Sequence, residues 1–307
     1  MGLGLLFPGQ GAQHPGMGED WCAASPEARA TFETADRVLG FPLAKACWSA
    51  GDDVNRTDIA QPGIFTTSVA IVRALEARGW SRAPFTLTAG LSLGEYTALW
   101  FAGCITFEDG LKLVRLRGQA MQAASEQIPS TMLSLMGATE EQARALAAAA
   151  AANGICQVAN LNAPGQVVLS GELAAIAQAE LLAKDHGIRR TRRLVVAGGF
   201  HSECMRPAAQ RLEAALREVE IRAPRIEFLT NVTGERVTEP AAIRAHLANQ
   251  VCASVLWEKS MRRAIELGVR EFAEPGPGNV LCALLGKIDA SVATRSYARP
   301  ADAAVGS

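Results

Sequence analysis

Hydrophobic and polar residues follow two different rhythms along this chain. Toward both ends, short apolar runs suited to buried strands alternate with stretches that place apolar residues every three or four positions, the period of a helix with one buried face. Leu3–Phe7, Thr86–Ala89, Arg225–Leu229 and Val269–Ala273 are predicted strands. Phe65–Arg78, Glu108–Ala124, Pro207–Val219 and Val255–Leu267 are predicted helices, with Gly79 and Gly268 where left-handed C-terminal caps belong. Strands separated by helices build a parallel sheet, because each crossover must carry the chain back to the same sheet end.

The middle of the chain is ordered differently. Thr131–Gly137 reads as a strand, Glu140–Ala152 as a helix, and Gln157–Leu161 and Gln166–Ser170 as strands joined by the turn signal Asn162-Ala163-Pro164-Gly165. Glu172–His186 is then helical and Thr191–Val196 a last strand. The order β-α-β-β-α-β is the ferredoxin-like arrangement. The expected class is therefore α/β, with a ferredoxin-like subdomain at 130–196 inserted in a larger parallel-sheet domain made of 1–129 and 197–307. No internal repeat is visible, and Ala301–Ser307 is expected to be a frayed tail.

Composition narrows the function classes. The 307 residues are 49% hydrophobic and 20% charged, ordinary for a globular enzyme. A net charge of −1 offers no overall attraction to nucleic acid or an anionic membrane. The apolar start Leu3, Leu5, Leu6, Phe7 has no basic leader and stops at Pro8-Gly9, so neither a signal peptide nor a membrane span is expected. Seven cysteines without a C-x-x-C pair are expected to be free thiols in the cytoplasm, not a disulfide frame or a metal site. No bound metal or cofactor is expected, and a monomer is.

Gly90-Leu91-Ser92-Leu93-Gly94 lies between a predicted strand and a helical stretch running to Ala102, the setting of a nucleophile elbow. The glycines permit a turn tight enough to thrust the serine oxygen out at the sheet edge. Ser92 would then sit at a helix N-terminus, where free N–H groups favour negative charge, with the Leu93 N–H placed for an oxyanion. Of the four histidines, His201 follows a strand and the pair Gly198-Gly199, and can reach the same sheet edge. His186 and His246 sit in charged helical patterns and read as surface residues, while position alone assigns His14 no role. No acidic residue presents itself as a third triad member, so a backbone carbonyl could orient the base. The loop Phe7–Gln13 lacks the Gly-Lys-Ser/Thr ending of a phosphate loop and is better suited to supply backbone N–H groups.

The helix from Glu108 opens with a capping box at Thr106-Phe107-Glu108-Asp109. Arg117 falls among Leu113, Val114, Ala120, Met121 and Ala124, on the apolar face. Unless the side chain snorkels to the surface, a buried guanidinium requires an anionic partner, either a protein carboxylate or the carboxylate of a ligand.

Together these motifs resemble the malonyl-CoA:acyl carrier protein transacylases over nearly the whole chain. The resemblance rests on Phe-Pro-Gly-Gln-Gly at 7–11, Gly-Leu-Ser-Leu-Gly-Glu-Tyr at 90–96, Arg117-Gly118 with Met121-Gln122, Gly-Phe-His-Ser at 199–202, Asn231-Val232 and Gly276-Pro277-Gly278. It implies a hydrolase-like α/β core with the ferredoxin-like insert and the site between them. It implies Ser92 as nucleophile, His201 as general base held by the backbone carbonyl of Gln250, and the N–H groups of Gln10 and Leu93 as oxyanion hole. Arg117 would bind a malonyl carboxylate, with Phe200 at the position linked to malonyl selectivity. The implied substrates are malonyl-CoA and a phosphopantetheinylated carrier protein, in fatty-acid or polyketide biosynthesis. Leu91, Gly199 and Asn279 replace residues frequent in the family, and none of them removes a catalytic group.

Two other functions compete: a hydrolase that clears acyl groups from carrier proteins, and a non-catalytic subunit that docks them. Arg117 counts against the first, since a site for uncharged acyl chains gains nothing from a buried cation. Ser92, His201 and Arg117 together count against the second. Carrier proteins are usually acidic, and Arg189, Arg190, Arg192 and Arg193 form a candidate docking patch or a charge-protected strand edge.

Overall fold

Five parallel strands order the larger sheet of a computed structural model that describes residues 2–304. They are β1 (Leu3–Phe7), β2 (Phe85–Gly90), β7 (Glu227–Leu229), β8 (Glu271–Glu274) and β9 (Ala293–Ser296), in the order β7-β2-β1-β8-β9. Four antiparallel strands make the smaller sheet: β3 (Ser130–Met136), β4 (Cys156–Ala163), β5 (Gln166–Glu172) and β6 (Arg190–Arg193), in the order β4-β5-β3-β6. That order, with helices Glu140–Ala150 and Leu173–Leu182 between the strands, is the ferredoxin-like arrangement within an α/β fold.

In the larger sheet β1 pairs with β2 on one side and β8 on the other, and β2 pairs with β7. Apolar side chains cover both faces. One core contains Phe7, Trp21, Phe65 and Phe228, and another contains Leu6, Leu87, Trp257 and Phe272. The smaller sheet has its own core, with Leu133, Leu146, Leu169 and Ile176. The segment before the helix Trp257–Glu266 is held to the smaller sheet by backbone hydrogen bonds, from Val255 N–H to the Ala159 carbonyl at 2.8 Å and from Leu161 N–H to the Val255 carbonyl at 3.0 Å.

Several boundaries depart from the sequence pattern. The helix predicted from Phe65 begins at Thr57 and passes through Pro62. Pro62 has no N–H for the Asp58 carbonyl, but the Arg115 guanidinium donates to that carbonyl and also pairs with the Asp58 carboxylate at 2.9 Å. The helix predicted from Val255 starts at Trp257, because Val255 is engaged with the smaller sheet. The last strand of that sheet stops at Arg193, where its pairing with Leu133 ends. The β4–β5 link shrinks to Pro164-Gly165, with Gly165 at φ 71°. The strand predicted from Arg225 is only Glu227–Leu229, and the helix predicted to His186 ends at Leu182. β9 was not foreseen, since Ala293–Ser296 has no apolar run. Pro300–Ala304 form a short 3₁₀ turn instead of a frayed end, and the remainder of the expected tail lies outside the described residues.

Other local expectations hold. Gly79 and Gly268 have φ of 91° and 90°, as C-terminal caps require. Thr106 caps the helix Phe107–Gln127 by accepting from Asp109 N–H at 3.1 Å, although the complete reciprocal box occurs at Thr139–Gln142 instead. Among the described residues no helix is long and apolar enough to cross a membrane. None of the seven cysteines is paired.

Candidate active site

Three loops leave the carboxyl ends of adjacent parallel strands and carry Gln10, Ser92 and Asn231. This edge is where open α/β sheets place their ligands. After β2 the chain makes the elbow predicted at 90–94, and the helix Gly94–Phe101 begins directly behind it. The turn is packed backbone on backbone. A Cβ on Gly94 would meet the Phe7 carbonyl oxygen at 2.0 Å, and one on Gly9 would meet the Leu91 carbonyl oxygen at 2.2 Å. Only glycine permits these approaches, so the sequence G-x-S-x-G locks the elbow to the N-terminal loop.

Ser92 has φ 54° and His201 φ 59°, the two non-glycine residues with positive φ among those described. The left-handed region costs an L-residue about 1–2 kcal/mol, and such strain persists where surrounding contacts over-determine the conformation. Here the two strained residues face each other. Ser92 Oγ lies 2.8 Å from His201 Nε2, and His201 Nδ1 lies 2.8 Å from the Gln250 carbonyl oxygen. A carbonyl only accepts, so Nδ1 carries the proton and Nε2 is left as the acceptor facing the serine. Burial, reinforced by the Arg117 charge, lowers the His201 pKa from 6.5 to about 4. The imidazole is therefore neutral at neutral pH.

Arg117 is almost fully buried at 2% exposure, on the helix face predicted from its spacing. It has no carboxylate within salt-bridge distance among the described residues. Its Nη1 donates to Gln61 Oε1 at 2.7 Å, and its Nη2 donates to Gln250 Oε1 at 2.9 Å and to Ser92 Oγ at 3.1 Å. Its Nε finds no acceptor, and the Tyr96 ring lies 5.8 Å from the guanidinium carbon. Gln61 reaches Arg117 because the two long helices cross closely at Gly118, where a Cβ would meet the Thr57 carbonyl oxygen at 2.7 Å. The cation thus rests on neutral oxygens, with its charge uncompensated by direct contact.

These groups open onto a cleft of about 1040 Å³ between the two sheets. Ser92, His201, Arg117, Phe200 and Gln10 line it, as do Arg192 and Arg193 at its mouth. Met121, Met132 and Val168 give it an apolar wall. Leu93 is buried behind the elbow, so only its backbone could serve the site. Arg189 and Arg190 are exposed but do not line the cleft, and Arg193 is paired with Glu180 at 2.9 Å. His14 is exposed, bonded to the Pro15 carbonyl, and does not line the cleft. His186 is partly exposed, whereas His246 is half-buried with an unpartnered Nδ1, less solvated than its charged neighbours suggested.

Sequence reasoning assigned no role to three residues that complete the network. Gln61 supports Arg117. Asn231 accepts from Ser92 N–H at 2.6 Å and donates to the Gly90 carbonyl at 2.7 Å, clamping both sides of the elbow. Glu95 is buried one helical turn beyond Ser92 and bonded to Gln250. An acidic residue three positions after the nucleophile, among apolar neighbours, was the signal for it.

The acyl transferase domain family matches the chain over residues 5–294. A malonyl CoA-acyl carrier protein transacylase of Bacillus subtilis is 35% identical over 300 residues, covering 97% of this chain and 94% of that protein. The crystal structure of a malonyl CoA-acyl carrier protein transacylase from Clostridium perfringens matches at TM-score 0.93 and 36% identity, covering 98% of this chain and 95% of that one. A malonyl-transacylase solved in complex with a type II PKS acyl-carrier protein matches at TM-score 0.94 and 33% identity, covering 99% and 98% of the two chains. With matching sequence and fold over nearly its full length, this chain belongs to the acyl transferase domain family.

Proposed function

We propose that the protein moves a malonyl group from malonyl-CoA to the phosphopantetheine thiol of an acyl carrier protein through an ester on Ser92. Names borne by its relatives support this reaction, and the site chemistry suits each half of it. His201 Nε2 takes the Ser92 hydroxyl proton as Oγ attacks the thioester carbonyl. The N–H groups of Gln10 and Leu93 receive the developing oxyanion. The tetrahedral centre collapses, the carbon–sulfur bond breaks, and the CoA sulfur leaves with the proton from His201. The carrier thiol then gives its proton to His201 and attacks the ester, and Ser92 leaves reprotonated. The Gln250 carbonyl keeps the His201 ring in the required tautomer throughout.

Arg117 carries the malonyl part of the reading: a buried cation on the cleft, held by neutral acceptors and, among the described residues, lacking a carboxylate partner. A substrate carboxylate would supply the missing charge. Phe200 and the methionine wall would limit the room for branched acyl groups. Residues 130–196 would form the smaller subdomain, closing one side of the site against a larger subdomain made of 1–129 and 197–307. The acidic carrier would dock along Arg189, Arg190 and Arg192, with Arg193 contributing less because Glu180 already holds it. A monomer in the cytoplasm fits the free cysteines.

Replacing Arg117 by Ala tests this directly. The loss of a charge-assisted contact worth ~2–5 kcal/mol should lower kcat/KM for malonyl-CoA by roughly 30-fold or more. Acetyl-CoA, without a carboxylate, should be used equally well or better. An unchanged malonyl-to-acetyl ratio would remove the main support for malonyl, and free malonate in place of malonyl-carrier would indicate a hydrolase.

A further inference from the structure

Glu95 is a carboxylate sealed behind the active site at 1% exposure, without an ion pair to any Lys, Arg or His among the described residues. Its Oε1 accepts from Asn231 N–H at 3.2 Å, and its Oε2 accepts from the Gln250 side-chain amide. Each partner holds the reacting groups. Asn231 clamps the Ser92 N–H and the Gly90 carbonyl. Gln250 accepts from His201 through its backbone and from Arg117 through Oε1, and donates from Nε2 to the Ser92 carbonyl at 2.9 Å.

The chemistry of the donors fixes the direction of this chain. Arg117 has only N–H donors, so the Gln250 amide must turn its oxygen to Arg117 and its NH₂ to Glu95. Glu95 thereby meets two donors, the Asn231 N–H and the Gln250 NH₂, and needs an acceptor on each oxygen. Bonding to a carboxylate polarises the amide and makes its oxygen a better acceptor for the guanidinium. We propose that Glu95 is a positioning residue for acyl transfer, its carboxylate fixing Gln250 and Asn231 and through them His201, Arg117 and the Ser92 elbow. This deepens the Ser92–His201 reading and rests on it.

The charge state of Glu95 has a kinetic consequence. Burial raises its pKa from 4.5 to about 7, against the opposing hydrogen bonds of Thr230, Gln250 and Asn231 and, last, the Arg117 charge. The other titratable groups close to it are Tyr96, kept neutral by burial, and His201, neutral above about 4. Since the ionised form supplies both acceptors, active-site order is present above about 7 and declines as pH falls through that value. His201 titrates well below this window, so the two groups are separable.

The experiment measures Ser92 acylation by p-nitrophenyl acetate and by malonyl-CoA from about pH 5 to about pH 9. Wild type, Glu95→Gln, Glu95→Asp and Ser92→Ala are compared, with melting curves on each. Glutamine offers one acceptor where two are needed, so Glu95→Gln should acylate at least ~10-fold more slowly with both reagents. It should also lose the pH dependence near 7. Glu95→Asp keeps the charge and should recover part of the rate, with a displaced pH limb. A folded Glu95→Gln with the wild-type rate and pH profile overturns the proposal. So does a wild-type profile that is flat through this window, which needs no variant. If Glu95→Gln does not fold, an Asp variant with an unmoved limb overturns it as well. An adduct on Ser92→Ala would instead defeat the nucleophile reading, so the two failures are distinct.

Discussion

At the scale of single residues, the site depends on groups held in unusual states: two side-chain residues in left-handed backbone, an unpaired buried cation and a neutral buried histidine. Each costs stability alone, and each is retained by hydrogen bonds to the others. The histidine makes this measurable through pH. Its folded pKa of about 4 lies below its ordinary 6.5, so the unfolded chain binds the extra proton first. Stability associated with neutral His201 is fully present above 6.5 and is lost as pH falls through about 4. Glu95, whose pKa is raised, works in the opposite direction as pH rises through about 7, so only a comparison isolates His201. His201→Gln should therefore lose less melting temperature than wild type on acidification across that window. Equal losses would mean that His201 is not buried neutral. The same variant should form the Ser92 ester at least ~100-fold more slowly, the usual scale for a general base.

At the scale of elements, close backbone approaches decide where the functional loops go. Gly94 joins the elbow to β1, Gly9 joins the N-terminal loop to the elbow, and Gly118 brings Gln61 to Arg117. In each case the clashing atom is backbone, which cannot rotate away. Gly94→Ala should cost about 1–3 kcal/mol by overpacking and reduce acylation by displacing Ser92. Gly286, within the helix Val280–Ile288, makes a useful contrast because a Cβ there meets nothing within 4 Å. Gly286→Ala should stabilise by up to ~1 kcal/mol through helix propensity and leave activity alone. Melting curves on the pair test this, and a harmless Gly94→Ala would refute the packing account of the elbow.

At the scale of the molecule, the net charge of −1 hides an uneven surface. Arg192 and Arg193 stand at the mouth of the cleft, and exposed Arg189 and Arg190 continue the basic strip away from it. Long-range attraction of an acidic carrier acts on encounter and is screened by salt within about 8–10 Å at ordinary ionic strength. Reversing Arg189 and Arg190 to Glu should raise KM for the carrier by about tenfold at low salt, with the gap closing as salt rises. Transfer to free pantetheine, which has no protein surface, should be unchanged. If transfer to both acceptors falls equally, this strip is not the docking surface.

The order of strands and helices in the sequence by itself determined the two kinds of sheet, because strict alternation requires parallel crossovers whereas β-α-β-β-α-β is the ferredoxin-like order. The glycine motif located Ser92 and helical spacing located the buried face of Arg117, since a tight glycine turn and a misplaced charge are local facts. His201 could only be singled out by its loop. What tertiary structure decided lies in contacts between distant segments. The continuation of a helix through Pro62 depends on Arg115, 53 positions away along the chain by subtraction of the two numbers. Arg117 rests on Gln61 and Gln250, and the Ser92 elbow on Asn231, where no periodicity marks a partner. Glu95 stands in the first turn of the helix Gly94–Phe101, where an acid suits the dipole without any need for burial. Only the packed structure turns it inward, because Asn231, on the loop after β7, and Gln250, at the end of the helix Pro240–Gln250, occupy its oxygens and remove its access to water.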